Sequence, residues 1–563
     1  MWKLYELRGE CSMSDTISTK SVAKFVVVPI VIFIAHCIFL GLNWIIDDAG
    51  ISFAYAKNLA NGNGLVAQSG GELVEGFSNP LWVFLFSPIF YLNLFHLYLT
   101  PKFISIFCVI ISFLLISRSL IKEKGWSWIA VYGGLSLLSI QPAFVIWSVS
   151  GLENPLTVLL TSLLLVQTVK IFQEGVSSKR TVAVGLVSGF LSLTRPDSIL
   201  YLLFFPCCVL IGFLRGEFRI RKRTTLLFIS SAVLPVGLYL VFRYFYYGDI
   251  FPNTYYAKGG PNISHVTALV LLHASIVEKI MHLASSIMGV TFSGWFVVLS
   301  IALCIATVKK WNMTQWILFV GVAISAVIYL LMPYDWMPEF RFATSFFMFF
   351  YLFVAGCCCI FIDALRLRKK EIPIWFWCIT IIVIGTSVTS SIARSVEFKL
   401  RKPIPIYEVL DTGDRFVSYA KMLETDRASL LIADVGGLML KDELQVYDLG
   451  MLCNKTIAKT LGEGATSVNV DEFHEYIFET ARPIFIATRA YHSWIAKLYE
   501  DARFYEQYVP IFEYEDQWIL GRYGQSKFSG DYIRKDVVQG KKKALLSMKE
   551  DAKNVPYAGS RGK

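Results

Sequence analysis

Apolar stretches long enough to cross a lipid bilayer recur along the first 392 residues, and they constrain the fold more than any other feature. A hydrocarbon core about 30 Å thick needs roughly 20 apolar residues for each helical crossing. Hydrophobic residues make up 55% of the chain and charged residues 17%, a balance that soluble proteins do not normally have. We therefore predict a polytopic α-helical membrane protein with about eleven spans, at 25–44, 102–121, 126–147, 155–173, 181–194, 198–214, 224–246, 290–308, 315–332, 342–362 and 374–392.

Basic residues between these stretches set the predicted orientation. With a cytoplasmic N-terminus, every basic loop cluster falls on the inner side, as the positive-inside rule expects, provided that 79–95 lies along the outer interface instead of crossing. The segment 264–288 likewise predicts an amphipathic surface helix. Because much of the net charge of +10 falls in these short loops, it orients helices, and we expect no nucleic-acid partner.

The pattern changes after residue 392, where helix-like and strand-like segments alternate. This predicts an extracytoplasmic α/β domain at 393–540, followed by a basic tail, 541–563, that we expect to be disordered. We assign Asp434, before Gly436 and Gly437, to turn chemistry. The predicted helices are Tyr407–Glu424, Val470–Thr480 and Tyr491–Phe504, and the predicted strands are Leu430–Val435, Gln445–Leu449, Ile484–Thr488 and Trp518–Arg522.

Ionisable residues gather at the outer ends of the predicted spans. Charge that only orients a protein belongs in the inner loops, so this excess at the outer ends predicts a site at the outer membrane face. The residues concerned are Asp47, Asp48, Glu72, Glu75, Glu153, Arg195, Asp197, Asp249, Lys258, Asp335, Glu339 and Arg341.

The adjacent carboxylates of Asp47 and Asp48 follow the first span directly and admit three interpretations. Burial beside a like charge raises one carboxyl pKa, which suits a general base. A solvated helix end or N-cap explains the same residues equally well. Together with Glu75 and Asp249 they are also oxygen ligands of the kind that divalent cations use, although no ligand spacing supports a metal site specifically.

The outer cations and aromatic residues have both a chemical and a structural interpretation. Transfer of a sugar from a phosphate needs little general-acid help, because cations can meet the charge on the departing phosphate. Arg195, Lys258 and Arg341 are the available cations, but each alone is more often an interface anchor or an ion-pair partner. Trp82 and Tyr256 fit an interfacial aromatic belt better than sugar stacking.

Several motifs in order resemble the GT-C membrane glycosyltransferases, in particular the branch of the mycobacterial terminal β-(1→2) arabinofuranosyltransferase and related bacterial proteins. The resemblance covers most of the membrane part. Gly50, where a bulky apolar residue is commoner, and Phe77-Ser78, in place of Tyr-Thr, depart from the pattern. The motifs are Asp47-Asp48-Ala49-Gly50-Ile51-Ser52 with Tyr55-Ala56, 74–82, 150–155, 193–197, 247–258, and Asp335-Trp336-Met337-Pro338 with Arg341-Phe342.

The resemblance implies an inverting transferase at the periplasmic face of a bacterial inner membrane. It implies a polyprenyl-phosphate sugar donor, with arabinofuranose as a candidate sugar, a cell-envelope glycan or protein acceptor, and metal dependence that varies within the class. It places the base at Asp47 or Asp48. A transporter or flippase of lipid-linked sugars is the alternative, although such proteins commonly carry repeats and mid-membrane sites. The implied donor contacts are Arg195, Lys258, Arg341, Asp249, Asn253, Tyr256, Glu75, Asn79, Trp82 and Asp335.

Overall fold

The computed structural model describes a largely helical chain with one small sheet near its C-terminus. The described residues are 19–121, 126, 128–219, 221–257, 273–289, 293–332, 336–367, 374–462, 469–515, 517, 520–521 and 528–553.

Helices follow the predicted apolar stretches through the first 400 residues. Within the described residues, eight helical segments are long and apolar enough to cross a membrane, or nine if α5 and α6, which meet at 65°, form one broken span. The chain is thus a multi-pass membrane protein, whereas the predicted count of eleven spans stays a prediction. The helices are α1 (Thr19–Leu40), α2 (Asp47–Ala60), α3 (Pro80–Tyr91), α4 (Leu99–Leu120), α5 (Trp128–Ile140), α6 (Pro142–Val149), α7 (Asn154–Glu174), α8 (Ser178–Ser192), a 3-10 helix (Pro196–Leu203) leading into α9 (Phe204–Leu214), α10 (Lys222–Tyr247), α11 (Asn253–Ala257), α12 (His273–Met288), α13 (Ser293–Thr307), α14 (Met313–Leu331), α15 (Thr344–Leu367) and α16 (Ile374–Leu400).

The two segments predicted to lie on the surface form short helices. The 12 residues of α3 rise about 18 Å at 1.5 Å per residue, too little to cross a core about 30 Å thick. Of the segment 264–288, the part from residue 273 forms α12, and the rest lies outside the described residues.

Helix ends predicted to be outer meet at one end of the bundle. The Lys102 ammonium donates to the carbonyls of Trp44 (2.7 Å) and Val149 (2.8 Å), and so joins the ends of three elements. The Asn154 amide donates to the Arg341 carbonyl at 3.0 Å. These helix ends therefore lie together, and their location on the periplasmic side stays a prediction.

The C-terminal domain is built on a five-stranded sheet in the order β2-β1-β3-β5-β4. Strands β1, β2 and β3 are parallel, and β5 pairs antiparallel with both β3 and β4. The strands are β1 (Ser429–Ile432), β2 (Gln445–Asp448), β3 (Phe485–Thr488), β4 (Tyr508–Glu515) and β5 (Phe528–Arg534). The helices are α17 (Ile406–Met422), α18 (Gly436–Lys441), α19 (Lys455–Leu461), α20 (Val470–Glu475) with a π-helical turn (Tyr476–Ala481), α21 (Ala490–Ala496), α22 (Ala502–Gln507), α23 (Lys535–Val538) and α24 (Lys542–Lys553).

The last two strands were not predicted, for physical reasons that the sheet makes plain. Pro510 interrupts the pattern of β4, but β4 is an edge strand, where proline is tolerated. Gly530 and Asp531 weaken the strand pattern of β5. Of the strand predicted at Trp518–Arg522, only residues 520 and 521 are described, and they are helical.

The expectation of a disordered basic tail is wrong for Lys542–Lys553, which form α24. Leu545, Met548 and Ala552 form an apolar stripe at helical spacing, and the last two are fully buried against the domain. The predicted domain boundary at residue 393 falls inside α16, which continues without a break to Leu400. The basic composition of the tail concealed a short amphipathic pattern.

Candidate functional site

Helix α2 lies between the membrane bundle and the C-terminal domain, and its contacts fall into two sets. A backbone bridge joins Ile46, just before it, to Pro405, just before α17. Helical spacing places Asp47, Gly50 and Lys57 on one side and Asp48, Ser52 and Tyr55 on another. We call these the domain face and the loop face of α2.

On the domain face, the Asp47 carboxylate is bound by backbone groups of the C-terminal domain. Its two oxygens accept hydrogen bonds from the N–H groups of Gly436 and Gly437, each at 2.8 Å. Its side chain is almost fully buried, and burial together with the Asp434 carboxylate raises the pKa of Asp47, which the two N–H donors oppose. Asp47 therefore joins the first outer loop to the C-terminal domain.

Asp434, which we assigned to turn chemistry, lies in the short segment between β1 and α18, and Gly436 and Gly437 begin α18. Gly50 of α2 lies so close that a Cβ there would come within 2.5 Å of the Gly436 carbonyl carbon. The Lys57 ammonium completes this face by donating to the Leu440 carbonyl at 2.8 Å. The departure from the family pattern at Gly50 thus has a structural reason, because a larger side chain would push α18 away.

On the loop face, Asp48 is half-buried and lies near two carboxylates of the C-terminal domain. Burial, and then the charge of Asp48, raises the pKa of Asp434 to about 6, while Arg489 opposes the shift. Burial also raises the pKa of Asp448 to about 7. The charge of Asp48 adds to this shift, and three backbone N–H groups oppose it. Asp434 follows β1, and Asp448 is the last residue of β2. Asp48 therefore faces the carboxyl edge of the parallel strands, where open α/β sheets bind ligands.

Further along the loop face, a chain of buried polar side chains leads into the membrane bundle. The Ser52 hydroxyl donates to Asn79 (3.0 Å), and the Asn79 amide donates to Glu153 (2.7 Å). Arg195 then binds Glu153 at 2.8 Å and Asp197 at 3.0 Å. Asn79 and Arg195, predicted as donor contacts, are therefore held in an internal network, with all five side chains nearly buried.

Arg341 lies beside this network, because its guanidinium and that of Arg195 both contact the Phe342 ring. The guanidinium carbons of Arg195 and Arg341 lie 4.7 and 5.0 Å from the centre of the Phe342 ring. Trp82, by contrast, is fully buried and donates to the Gly151 carbonyl, which leaves it no face for a sugar. Lys258 and Asp335 lie outside the described residues.

Glu75 is held by two residues of α10 that the sequence did not suggest. Tyr239 donates to one carboxylate oxygen at 2.8 Å, and the Arg243 guanidinium binds both oxygens. Burial raises the pKa of Glu75, and the charge and hydrogen bonds of Arg243 oppose it. Arg243 lay inside a predicted membrane span, so nothing in the loop pattern pointed to it.

Asn253 and Asp249 connect the end of α10 to the C-terminal domain. The Asn253 amide donates to the carbonyls of Met451 (3.1 Å), Leu452 (2.8 Å) and Asn454 (3.1 Å), a structural role in place of the predicted donor contact. Asp249 accepts a hydrogen bond from the Tyr256 phenol at 2.8 Å. These two residues border a cleft lined by Leu73, Val74, Glu75, Tyr247, Asp249, Phe251, Asn253, Tyr256 and Lys455.

The four carboxylates that we considered as metal ligands lie in separate parts of the structure. Asp47 and Asp48 lie at the C-terminal domain, Glu75 is bound by Arg243, and Asp249 borders the cleft. Across the part of the chain that the structure describes, no group of three or more histidine, cysteine, aspartate or glutamate side chains is placed to hold a metal ion. The geometry therefore gives no support to this particular ligand set.

Comparisons with known proteins find similarity in structure but not in sequence. No family model and no curated protein matches the chain. ArnT from Cupriavidus metallidurans, solved bound to undecaprenyl phosphate, is 12% identical with a TM-score of 0.48, over 84% of this chain and 93% of that chain. The Archaeoglobus fulgidus oligosaccharyltransferase, solved with Zn and sulfate, is 13% identical with a TM-score of 0.48, over 89% of this chain and 68% of that chain. At such identities and scores the likeness concerns the general arrangement of the chain.

Proposed function

We propose that this protein is a membrane glycosyltransferase that moves a sugar from a polyprenyl-phosphate donor to a cell-envelope acceptor, with Asp48 as the general base. The difference between the two adjacent aspartates supports this proposal. Asp47 has both oxygens bound by backbone N–H groups and is 4% exposed, whereas Asp48 is half-buried at the carboxyl edge of the sheet. Of the two candidates, Asp48 is the one that a substrate hydroxyl can approach.

In the proposed reaction, the Asp48 carboxylate takes the proton of an acceptor hydroxyl as its oxygen attacks the anomeric carbon. The bond from that carbon to the donor phosphate breaks with inversion, and the electron pair leaves on the polyprenyl phosphate. We propose that Arg341 meets the charge on this phosphate, while Arg195 positions Glu153 and the Phe342 ring beside it. Arabinofuranose as the donor sugar follows from the sequence resemblance.

The test is sugar transfer by the purified protein with a panel of polyprenyl-phosphate sugars that includes the arabinofuranosyl donor. We expect Asp48→Asn to lower turnover of the folded protein by about 10²–10⁴-fold, the range for loss of a general base. Asp47→Asn is the matched control, because it makes the same chemical change one residue earlier. It should lower the melting temperature while the folded fraction keeps its turnover.

Two results would contradict the proposal. Full turnover by Asp48→Asn with an active donor removes Asp48 as the base. If proteoliposomes containing the wild type move the lipid-linked sugar across the bilayer without transferring it, the protein is a flippase, the alternative that the sequence left open.

A further inference from the structure

The cleft between the end of α10 and the C-terminal domain is built from three parts of the chain. The first outer loop contributes Val74 and Glu75, the segment after α10 contributes Asp249 and Phe251, and α19 contributes Lys455. We propose that this cleft binds the acceptor as a carbohydrate chain. The proposal rests on the transferase function above and assigns Asp249 and Tyr256 to the acceptor instead of the donor.

The polar groups of the cleft match the rim of a sugar, where hydroxyl groups both donate and accept hydrogen bonds. One Asp249 oxygen accepts from the Tyr256 phenol, and the other lies 3.7 Å from the Lys459 ammonium, which also stands 5.0 Å from the Tyr256 ring centre. Burial raises the pKa of the Asp249 carboxyl, but the bonds from Tyr256 and from the Phe251 N–H, together with nearby lysines, outweigh it and lower the pKa overall. Asp249 therefore remains an ionised acceptor.

An aromatic surface adjoins these polar groups. The rings of Phe251 and Tyr255 are stacked, with centroids 4.4 Å apart and planes 19° apart. Phe251 remains 46% exposed, so nearly half of its surface is accessible. The C–H faces of a sugar are apolar, and its hydroxyl groups are polar. An exposed ring beside a carboxylate and an ammonium can therefore bind both parts of a sugar unit.

The location of the cleft favours the acceptor over the lipid-linked donor. Lys455 and Lys459 belong to α19 of the C-terminal domain and to none of the long apolar helices that a polyprenyl tail must lie against. Residues 74–76 join the lining of the cleft to α2: the Tyr55 phenol donates to the Val74 carbonyl (2.6 Å) and accepts from the Gly76 N–H (3.0 Å), while the Glu75 carboxylate turns toward α10.

The distance from the cleft to the proposed base also selects the kind of acceptor. Tyr55 lies seven residues after Asp48 on α2, about 10 Å along the helix at 1.5 Å per residue. A chain of several sugar units is long enough to span this distance, whereas a single sugar is not. The proposed acceptor is therefore an oligosaccharide or polysaccharide end.

Binding can be measured without turnover, by saturation-transfer NMR of the full-length protein in nanodiscs with linear arabino-, galacto- and manno-oligosaccharides. We expect at least one series to bind, and Asp249→Asn and Phe251→Ala each to weaken that binding at least tenfold. Phe245→Ala is the control, because that ring is 80% exposed on α10 and lies outside the cleft.

The outcomes separate this inference from the proposed reaction. If no oligosaccharide binds, or if binding survives both cleft variants, the cleft is not an acceptor site. If Phe251→Ala reduces nanodisc incorporation and leaves binding unchanged, the ring is a membrane anchor and the inference is overturned. Oligosaccharide binding that depends on Asp249, in a wild type that transfers no sugar from any donor, supports the cleft and contradicts the transferase.

Discussion

The domain face of α2 and the network that begins at Ser52 on its loop face are held by different kinds of contact. On the domain face, Asp47 accepts from backbone N–H groups, Gly50 packs against the backbone of Gly436, and Lys57 donates to a backbone carbonyl. On the loop face, Ser52 begins a series of side-chain contacts that ends at Arg195 and Asp197.

The two sets of contacts depend on different properties, the first on close packing and the second on paired charges. Backbone contacts need two segments to approach closely, so they depend on small residues and on an acceptor at the right place. Side-chain contacts between buried charges depend on every partner being present, because a charge left alone in the interior is costly. We therefore expect the two faces to fail in different ways when they are changed.

The largest effect on stability is expected from Arg195→Met, which changes the side-chain network that begins on the loop face. It leaves Glu153 and Asp197 buried without their cation, and removal of one partner from a buried pair costs about 3–5 kcal/mol. Thermal unfolding in detergent measures the loss. Arg215→Met is the matched control, because Arg215 pairs with Glu217 at the same spacing but on the surface, where about 0–1 kcal/mol is expected.

The outcome also decides between two roles for Arg195. An unchanged melting temperature with a raised KM for the donor would show that Arg195 is a donor contact, as the sequence resemblance implied. A lowered melting temperature with an unchanged KM would support the internal network.

A smaller loss, of about 3 kcal/mol, is expected from Gly436→Ala on the domain face. A Cβ at Gly436 would overlap the Asp47 carbonyl, so α18 must shift and weaken the two N–H bonds to the carboxylate. Hydrogen exchange of 436–441 and of α2 should accelerate together. Gly133→Ala, where a Cβ meets no atom within 4 Å, should change neither; equal protection in both variants would mean that the close approach is unimportant.

The smallest effect is a pH dependence of the same junction. Burial raises the pKa of Asp434 to about 6 and that of Asp448 to about 7, so both take up protons more readily in the folded state than in the unfolded chain. For such groups stability is highest below the unfolded pKa and is lost as the pH rises through the folded pKa. We expect the melting temperature to fall by a few degrees between pH 5 and pH 8.

Asp448→Asn should flatten this dependence, because the amide carries no charge to bury. Melting temperature measured at several pH values in one buffer series is sufficient. A wild type that becomes more stable across this range would show that the raised pKa values do not govern the junction.

Particular residues show how far the sequence alone could lead. The apolar stretches and the outer charges predicted the helices and the end of the bundle where Glu153, Arg195 and Arg341 meet. The charges did not distinguish Asp47 from Asp48. The two residues are identical and adjacent in the sequence, and they differ only in what their side chains contact in the folded protein. Arg243 was missed for a related reason, since its partner Glu75 is 168 residues away.

Sequence by itself determined that this chain is a multi-pass helical protein with a C-terminal α/β domain, because hydrophobic length and periodicity are local properties. Tertiary structure alone decided which carboxylate is bound by backbone, which arginine is enclosed in an ion network and which carboxylate borders a cleft. Those roles depend on contacts between residues far apart in the chain, such as Asp47 with Gly436, and burial sets their energies.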